Sequence, residues 1–79
     1  MSVRVRLFAA FREIAGTAEL ELPANQAQTV GEVWGRLLAR YPGLGDHVPS
    51  AAVNATYAAL NATLRDGDEV AFLPPVSGG

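Results

Sequence analysis

Between residues 29 and 41 the chain carries one strong helical stripe, and a lone amphipathic helix restricts what the rest of the molecule can be. Val30, Val33, Trp34, Leu37, Leu38 and Tyr41 recur at the spacing that lines one face of a 3.6-residue period. Thr29-Val30-Gly31-Glu32 fits a capping box, the threonine hydroxyl accepting from the Glu32 amide and the glutamate reaching back. Pro42-Gly43 ends the pattern. Such a stripe must be buried against another layer, and the remaining apolar segments have to supply it. Gly31 and Gly35 each cost about 1 kcal/mol relative to alanine inside a helix, and close helix-to-sheet contact is the expected compensation.

Those remaining segments have the period of strands. From Ser2 to Ala9, Val3, Val5 and Leu7 alternate with Arg4, Arg6 and Phe8, which marks a strand with one buried face. Phe8 falls on the arginine side, an odd place for an aromatic ring. Ala10 to Ala15 can form a helical turn closed by Gly16. Leu20 and Leu22 alternate with Glu19 and Glu21 up to Pro23, a second strand that pairs most simply antiparallel to the first. Residues 25–28 form a polar loop, and Leu44 to Ser50 is irregular. Ala51 to Val53 and Tyr57 to Leu60 are short apolar runs separated by Asn54, which tolerates a left-handed turn. Leu64 to Asp68 is a turn and Glu69 to Leu73 a last strand.

This order predicts an α+β fold, a mixed sheet of about five strands packed on one main helix. The first and last strands lie side by side at its centre. Val3, Val5, Leu7, Val33, Leu37, Val70 and Phe72 form the predicted core. Ala71, Leu73 and Phe8 then share the opposite face, which no segment is left to cover.

Composition narrows the chemistry. A chain of 79 residues makes one small domain, whose core supplies roughly 3–5 kcal/mol of net stability. With no cysteine there is neither a disulfide nor a thiolate metal site. No apolar run approaches the ~18 residues of a membrane span, and no basic-then-apolar leader precedes the first strand; a soluble cytoplasmic protein is expected. The net charge of −2 and the scattered arginines exclude a nucleic-acid binder.

Side-chain catalysis looks poor. His47, the one histidine, sits beside Val48-Pro49 and reads as a loop residue rather than a general base, and with no cysteine it leaves no zinc site. A hydrolytic triad needs Ser50 or Ser77 to meet His47 and an acid in a pocket this domain can hardly build. Asp66 and Asp68 flank Gly67 as turn residues do. Trp34 and Tyr41 lie on the helical stripe and read as core, and Arg4 and Arg6 as a solvated strand face.

The last six residues, Pro74-Pro75-Val76-Ser77-Gly78-Gly79, are different. With 8 glycines in 79 residues, two at the end arise in roughly 1% of chains of this composition. Two prolines restrict the segment to an extended form and lower the entropy lost when it docks. Gly-Gly has no Cβ and can thread a narrow channel, delivering the carboxylate to a reacting centre. A carboxylate becomes an acyl donor only when its oxygen is made a leaving group. Adenylation by ATP does that, and sulfur attack then gives an acyl carrier or a thiocarboxylate. No phosphate-binding glycine loop occurs here, so the ATP belongs to a partner enzyme.

At this point the residues resemble a known family. Ala52-Val53-Asn54, followed by Leu64-Arg65-Asp66-Gly67-Asp68-Glu69-Val70-Ala71-Phe72-Leu73-Pro74-Pro75-Val76-Ser77-Gly78-Gly79, is similar to the small subunit of molybdopterin synthase. Val5-Arg6-Leu7-Phe8-Ala9 and Phe11-Arg12-Glu13-Ile14-Ala15-Gly16 carry the likeness through the N-terminal part. The Asp-Gly-Asp turn is shared with other β-grasp proteins, whereas the Pro-Pro-Val-Ser-Gly-Gly ending is specific. The resemblance implies a ubiquitin-like β-grasp body over residues 1–73 and an extended tail over 74–79. It implies a sulfur carrier, non-catalytic alone, that binds no cofactor or metal and whose Gly79 is adenylated by an ATP-dependent activating enzyme. A sulfur donor protein then makes the thiocarboxylate. The tail enters the large subunit of a heterotetramer, where sulfur passes to a cyclic pterin precursor. Gly78 permits insertion, Pro74, Pro75, Val76 and Ser77 guide it, and Phe8, Leu60, Ala71 and Leu73 dock the partner. Leu73, where the family often has an aromatic, is a departure that bears on contact details. Three other readings remain: a carrier for thiazole synthesis, a protein modifier joined through Gly79, and an interaction module with an incidental tail.

Overall fold

A computed structural model describes residues 2–23, 25, 28–46 and 49–74, with the Asp46 side chain outside the description. Strand β1, Ser2–Leu7, forms where apolar and charged residues alternate, and Val3, Val5 and Leu7 are buried while Arg4 and Arg6 are exposed. It stops at Leu7 rather than Ala9. Phe8 keeps the extended conformation as the N-cap of helix α1, Ala9–Ala15, and Ala9 takes a positive φ of 52°. That turn lets Phe8 stay on the arginine side while Phe11 drops into the core. Gly16, at φ 75°, ends α1 in the left-handed conformation that glycine adopts without a Cβ clash.

Strand β2, Glu19–Pro23, pairs antiparallel with β1, placing Leu20 opposite Val5 and Leu22 opposite Val3. Helix α2, Val30–Arg40, begins at Thr29, whose hydroxyl accepts from the Glu32 amide at 3.1 Å. The return half of the box differs from expectation: Glu32 Oε1 accepts from the threonine hydroxyl at 3.3 Å. Two further amides of the first turn are satisfied from far along the chain. Val30 N donates to the Ala62 carbonyl at 3.1 Å and Gly31 N to the Leu60 carbonyl at 2.7 Å, filling positions that helix geometry leaves unpaired.

Beyond α2, residues expected to be irregular form a 3-10 turn, Pro42–Asp46, which drives Leu44 fully into the core. Strands β3, Ser50–Val53, and β4, Thr56–Ala58, make a hairpin whose two central residues, Asn54 and Ala55, both have positive φ. Two left-handed residues match the twist of a two-residue hairpin turn. The expected strand to Leu60 is cut short at Ala58, because residues 60–62 turn away to cap α2. Strand β5, Glu69–Leu73, follows a turn in which Gly67 has a φ of 87°.

The sheet order is β2-β1-β5-β3-β4, with β1 and β5 parallel at the centre. All seven residues of the predicted core are buried, joined by Phe11, Val30, Trp34, Leu44, Ala51 and Leu64. Trp34 links the layers, its ring centroid 5.2 Å from Phe11 and 5.0 Å from Phe72. Tyr41 packs half-buried at the margin. The expectation for the helix glycines is corrected. A Cβ on Gly31 meets the Leu60 carbonyl oxygen at 3.1 Å, so its close neighbour is the β4–β5 connection and not the sheet, and a Cβ on Gly35 meets nothing within 4 Å.

Candidate functional site

Strand pairing sorts the outer sheet face into rows. Arg4 lies beside Glu21 on β2 and Glu69 on β5. In the next row Arg6 lies beside Glu19 and Ala71, with Ala52 and then Tyr57 beyond. Leu73 pairs with Ser50, one position past the Leu7–Phe72 pair, which brings Leu73 level with Phe8. One end of this face is therefore charged and the other apolar. The apolar end is where β5 runs out into Pro74.

The charged rows are cross-strand pairs. Arg4 Nε stands 3.6 Å from Glu19 Oε1, and Arg6 Nη1 stands 3.6 Å from Glu69 Oε1. Both pairs are well exposed, so each is worth little, about 0–1 kcal/mol. Phe8 is 37% exposed and Tyr57 80%, whereas Ala71 and Leu73 are half-buried. Phe8, Ala71 and Leu73 thus share one face. Leu60 does not occupy a strand position on it: 48% exposed, it follows β4 and spends its carbonyl on the first turn of α2. Tyr57 belongs to the face and was missed. The Asn54 turn held the signal, since a two-residue hairpin there sets Tyr57 opposite Ala52.

The paired aspartates are structural. Asp66 accepts from the Ser2 amide at 2.6 Å, tying the turn to the start of β1. Asp68 accepts from the Arg65 amide at 2.8 Å and from the Asn54 side-chain amide at 3.0 Å, and Asn54 accepts in turn from the Glu69 amide at 3.0 Å. The Arg65 amide first, then Asn54, hold the Asp68 carboxyl below the ordinary aspartate value, because both bonds favour the charged form. This clasp joins the hairpin turn to the entry of β5 and leaves both carboxylates occupied.

Among the described residues there is no group of acidic, histidine or cysteine side chains placed to hold a metal, and no polar side chain in the core. Ser50 is at the surface at the start of β3. The shallow depression along β4, lined in part by Tyr57, Ala59 and Leu60, has no carboxylate or imidazole among the described residues that line it. His47 and the tail residues Pro75, Val76, Ser77, Gly78 and Gly79 lie outside the described residues. Among the described residues no helix is long and apolar enough to cross a membrane.

A five-stranded mixed sheet with parallel central strands, one long helix across it and an apolar end to its outer face defines a small ubiquitin-like β-grasp protein. Within that class the chain belongs to the ThiS family, whose model matches residues 5–79. It is 40% identical over 82 residues to the molybdopterin synthase sulfur carrier subunit of Mycobacterium tuberculosis, with 100% of this chain and 99% of that one covered. The crystal structure of SAMP1 from Haloferax volcanii matches at a TM-score of 0.82 and 32% identity, covering 100% of both chains. A chain in the complex of subunits 1 and 2 of the molybdopterin-converting factor from Helicobacter pylori matches at a TM-score of 0.68 and 30% identity, again over 100% of both.

Proposed function

We propose that this chain is the sulfur carrier of molybdopterin synthesis, with residues 1–73 as its docking body and 74–79 as its delivering tail. The observation that carries the reading is positional: the apolar end of the open sheet face, with Phe8, Ala71 and Leu73, adjoins the point where β5 passes into Pro74. A partner seated on that face receives the tail. The family match through Gly79 and the name of the Mycobacterium tuberculosis relative support the pathway, and the Helicobacter pylori complex supports a large subunit as the partner.

In the proposed sequence of steps, a carboxylate oxygen of Gly79 bonds to the α-phosphorus of ATP on a separate activating enzyme, and pyrophosphate leaves. Hydrosulfide released by a donor protein then attacks the acyl carbon and displaces AMP. The resulting thiocarboxylate enters the large subunit of a heterotetramer and passes its sulfur to a cyclic pterin precursor, and water restores the carboxylate. This chain contributes no acid or base; it contributes reach and position. Gly78 gives a narrow cross-section, while Pro74 and Pro75 keep the approach extended. The need for an ATP-dependent activating enzyme supports a cytoplasmic location.

Deleting Gly79 tests this. The carboxylate retreats by about 3.3–3.6 Å, the span of one extended residue, against a required approach of about 3–3.5 Å. Binding to the large subunit should persist while product formation from the pterin precursor, activating enzyme, ATP and sulfur source is lost. Wild-type turnover from the deletion overturns the reading. The similarity to Haloferax volcanii SAMP1, a protein named elsewhere as a small archaeal modifier, favours protein modification as a second reading. That role predicts reductant-resistant conjugates in lysate that disappear with Gly79.

A further inference from the structure

We infer that Arg6 is a positioning residue that holds the Phe8 ring ready for the large synthase subunit; the inference rests on the docking reading above. The Arg6 guanidinium carbon lies 5.4 Å from the Phe8 ring centroid, inside the ~6 Å over which a cation is drawn to an aromatic face. The same guanidinium stands 3.6 Å from Glu69 Oε1 through Nη1. Glu69 joins the Asn54–Asp68 clasp by donating its backbone amide to Asn54, so the carboxylate that steers Arg6 stands on a fixed stretch of β5. A chain of contacts thus runs from a rigid turn through Glu69 and Arg6 to the ring.

The need for such a device follows from where Phe8 sits. It is exposed at the end of its strand, and the backbone turns away at Ala9 with a φ of 52°. An aromatic side chain so placed has rotamer freedom that a partner must remove on binding, at a cost to affinity. Arg6 removes part of it beforehand. The two arginines of β1 are not equivalent in this respect. Arg4 pairs with Glu19, whereas Arg6 pairs with Glu69 and also lies over the Phe8 ring. Phe8 is then presented as an apolar edge over a neutralised base, suited to an apolar pocket on the partner.

The experiment is a double-mutant cycle read by calorimetric titration of the large subunit, with melting curves to confirm that each variant is folded. Phe8→Ala should weaken binding about tenfold or more, as truncation of an aromatic anchor does. Arg6→Gln should weaken it about two- to fivefold, Arg6→Lys less, because lysine keeps the cation that is drawn to the ring. In the Phe8→Ala background, Arg6→Gln should add nothing. In the free protein, Arg6→Gln should shift the Phe8 ring resonances, a change that general stabilisation by Arg6 does not produce. If Phe8→Ala binds as wild type, the docking reading falls and takes the inference with it. If Phe8→Ala binds weakly and Arg6→Gln does not, docking stands and the inference alone is overturned. A penalty for Arg6→Gln that persists without Phe8 means that Arg6 touches the partner directly, which also overturns it.

Discussion

Leu37→Ala puts the packing of helix against sheet under the sharpest strain. Leu37 is 1% exposed and sits on the buried face of α2, one turn beyond Val33 and Trp34. The substitution removes three carbons, and at about 0.8 kcal/mol for each the lost transfer energy is about 2.4 kcal/mol. A cavity term adds to this, since β1 and β5 on the far side are held by pairing and cannot close the gap; measured losses for such changes are about 2–5 kcal/mol. The whole domain has roughly 3–5 kcal/mol to lose. Trp34, the sole tryptophan, lies in the same core and reports the transition by fluorescence. With a urea dependence of about 1 kcal/mol per molar for a chain this small, the midpoint should fall by about 2 M or more. Leu38→Ala, at a half-buried flank position, should cost only about 1 kcal/mol and serves as the control. A Leu37→Ala midpoint no lower than that of Leu38→Ala would refute this account of the core.

Other consequences are open to measurement. Leu73→Arg, on the apolar end of the open face, should leave melting nearly unchanged and weaken large-subunit binding about tenfold or more, and equal affinity in a titration counts against that face. Gly35→Ala should raise stability by about 0.5–1 kcal/mol through helix propensity, while Gly31→Ala should not, because the new methyl meets the Leu60 carbonyl oxygen at 3.1 Å; equal gains in thermal melting contradict the close approach. Ala55→Gly, at a φ of 69°, should stabilise the hairpin by about 0.5–1 kcal/mol, and a lower melting temperature argues against the strained turn. Asp68 has a folded pKa below the ordinary 3.8, so its contribution is present above that value and is lost as pH falls through the folded one. Wild type should therefore melt above Asp68→Asn at neutral pH and the gap should close towards pH 2; because the carboxylate is solvent-screened the gap is small, and one that does not narrow in acid excludes the charge as its source.

Much of this molecule is local chemistry written along the chain. The cap at Thr29, the apolar stripe of α2, the alternation in β1, β2 and β5 and the turn glycines at 16 and 67 each depend on neighbours within a few residues, and all were legible. Leu44 was not, because a single leucine in a five-residue turn has no period to read. Nor was Phe11, whose entry into the core requires the reversal at Ala9. The candidate site divides along the same line. Phe8, Ala71 and Leu73 follow from strand alternation, whereas Leu60 was assigned to the face from the resemblance and follows β4, where its carbonyl accepts from the Gly31 amide.

By itself the sequence determined the element types, the faces they bury and, through the family it matches to Gly79, the end of the chain on which the proposed chemistry depends. Periodicity suffices for the first two, since period 2 and period 3.6 place residues on faces whatever lies beyond. Only the tertiary structure decided how the segment after β4 is spent, closing the amides of α2 instead of lengthening the strand. It alone decided that Glu69, Arg6 and Phe8 meet. The α2 amides reach acceptors 29 and 32 positions further on and Arg6 meets Glu69 across 63 positions, separations at which register and hydrogen-bond demand outweigh any local preference.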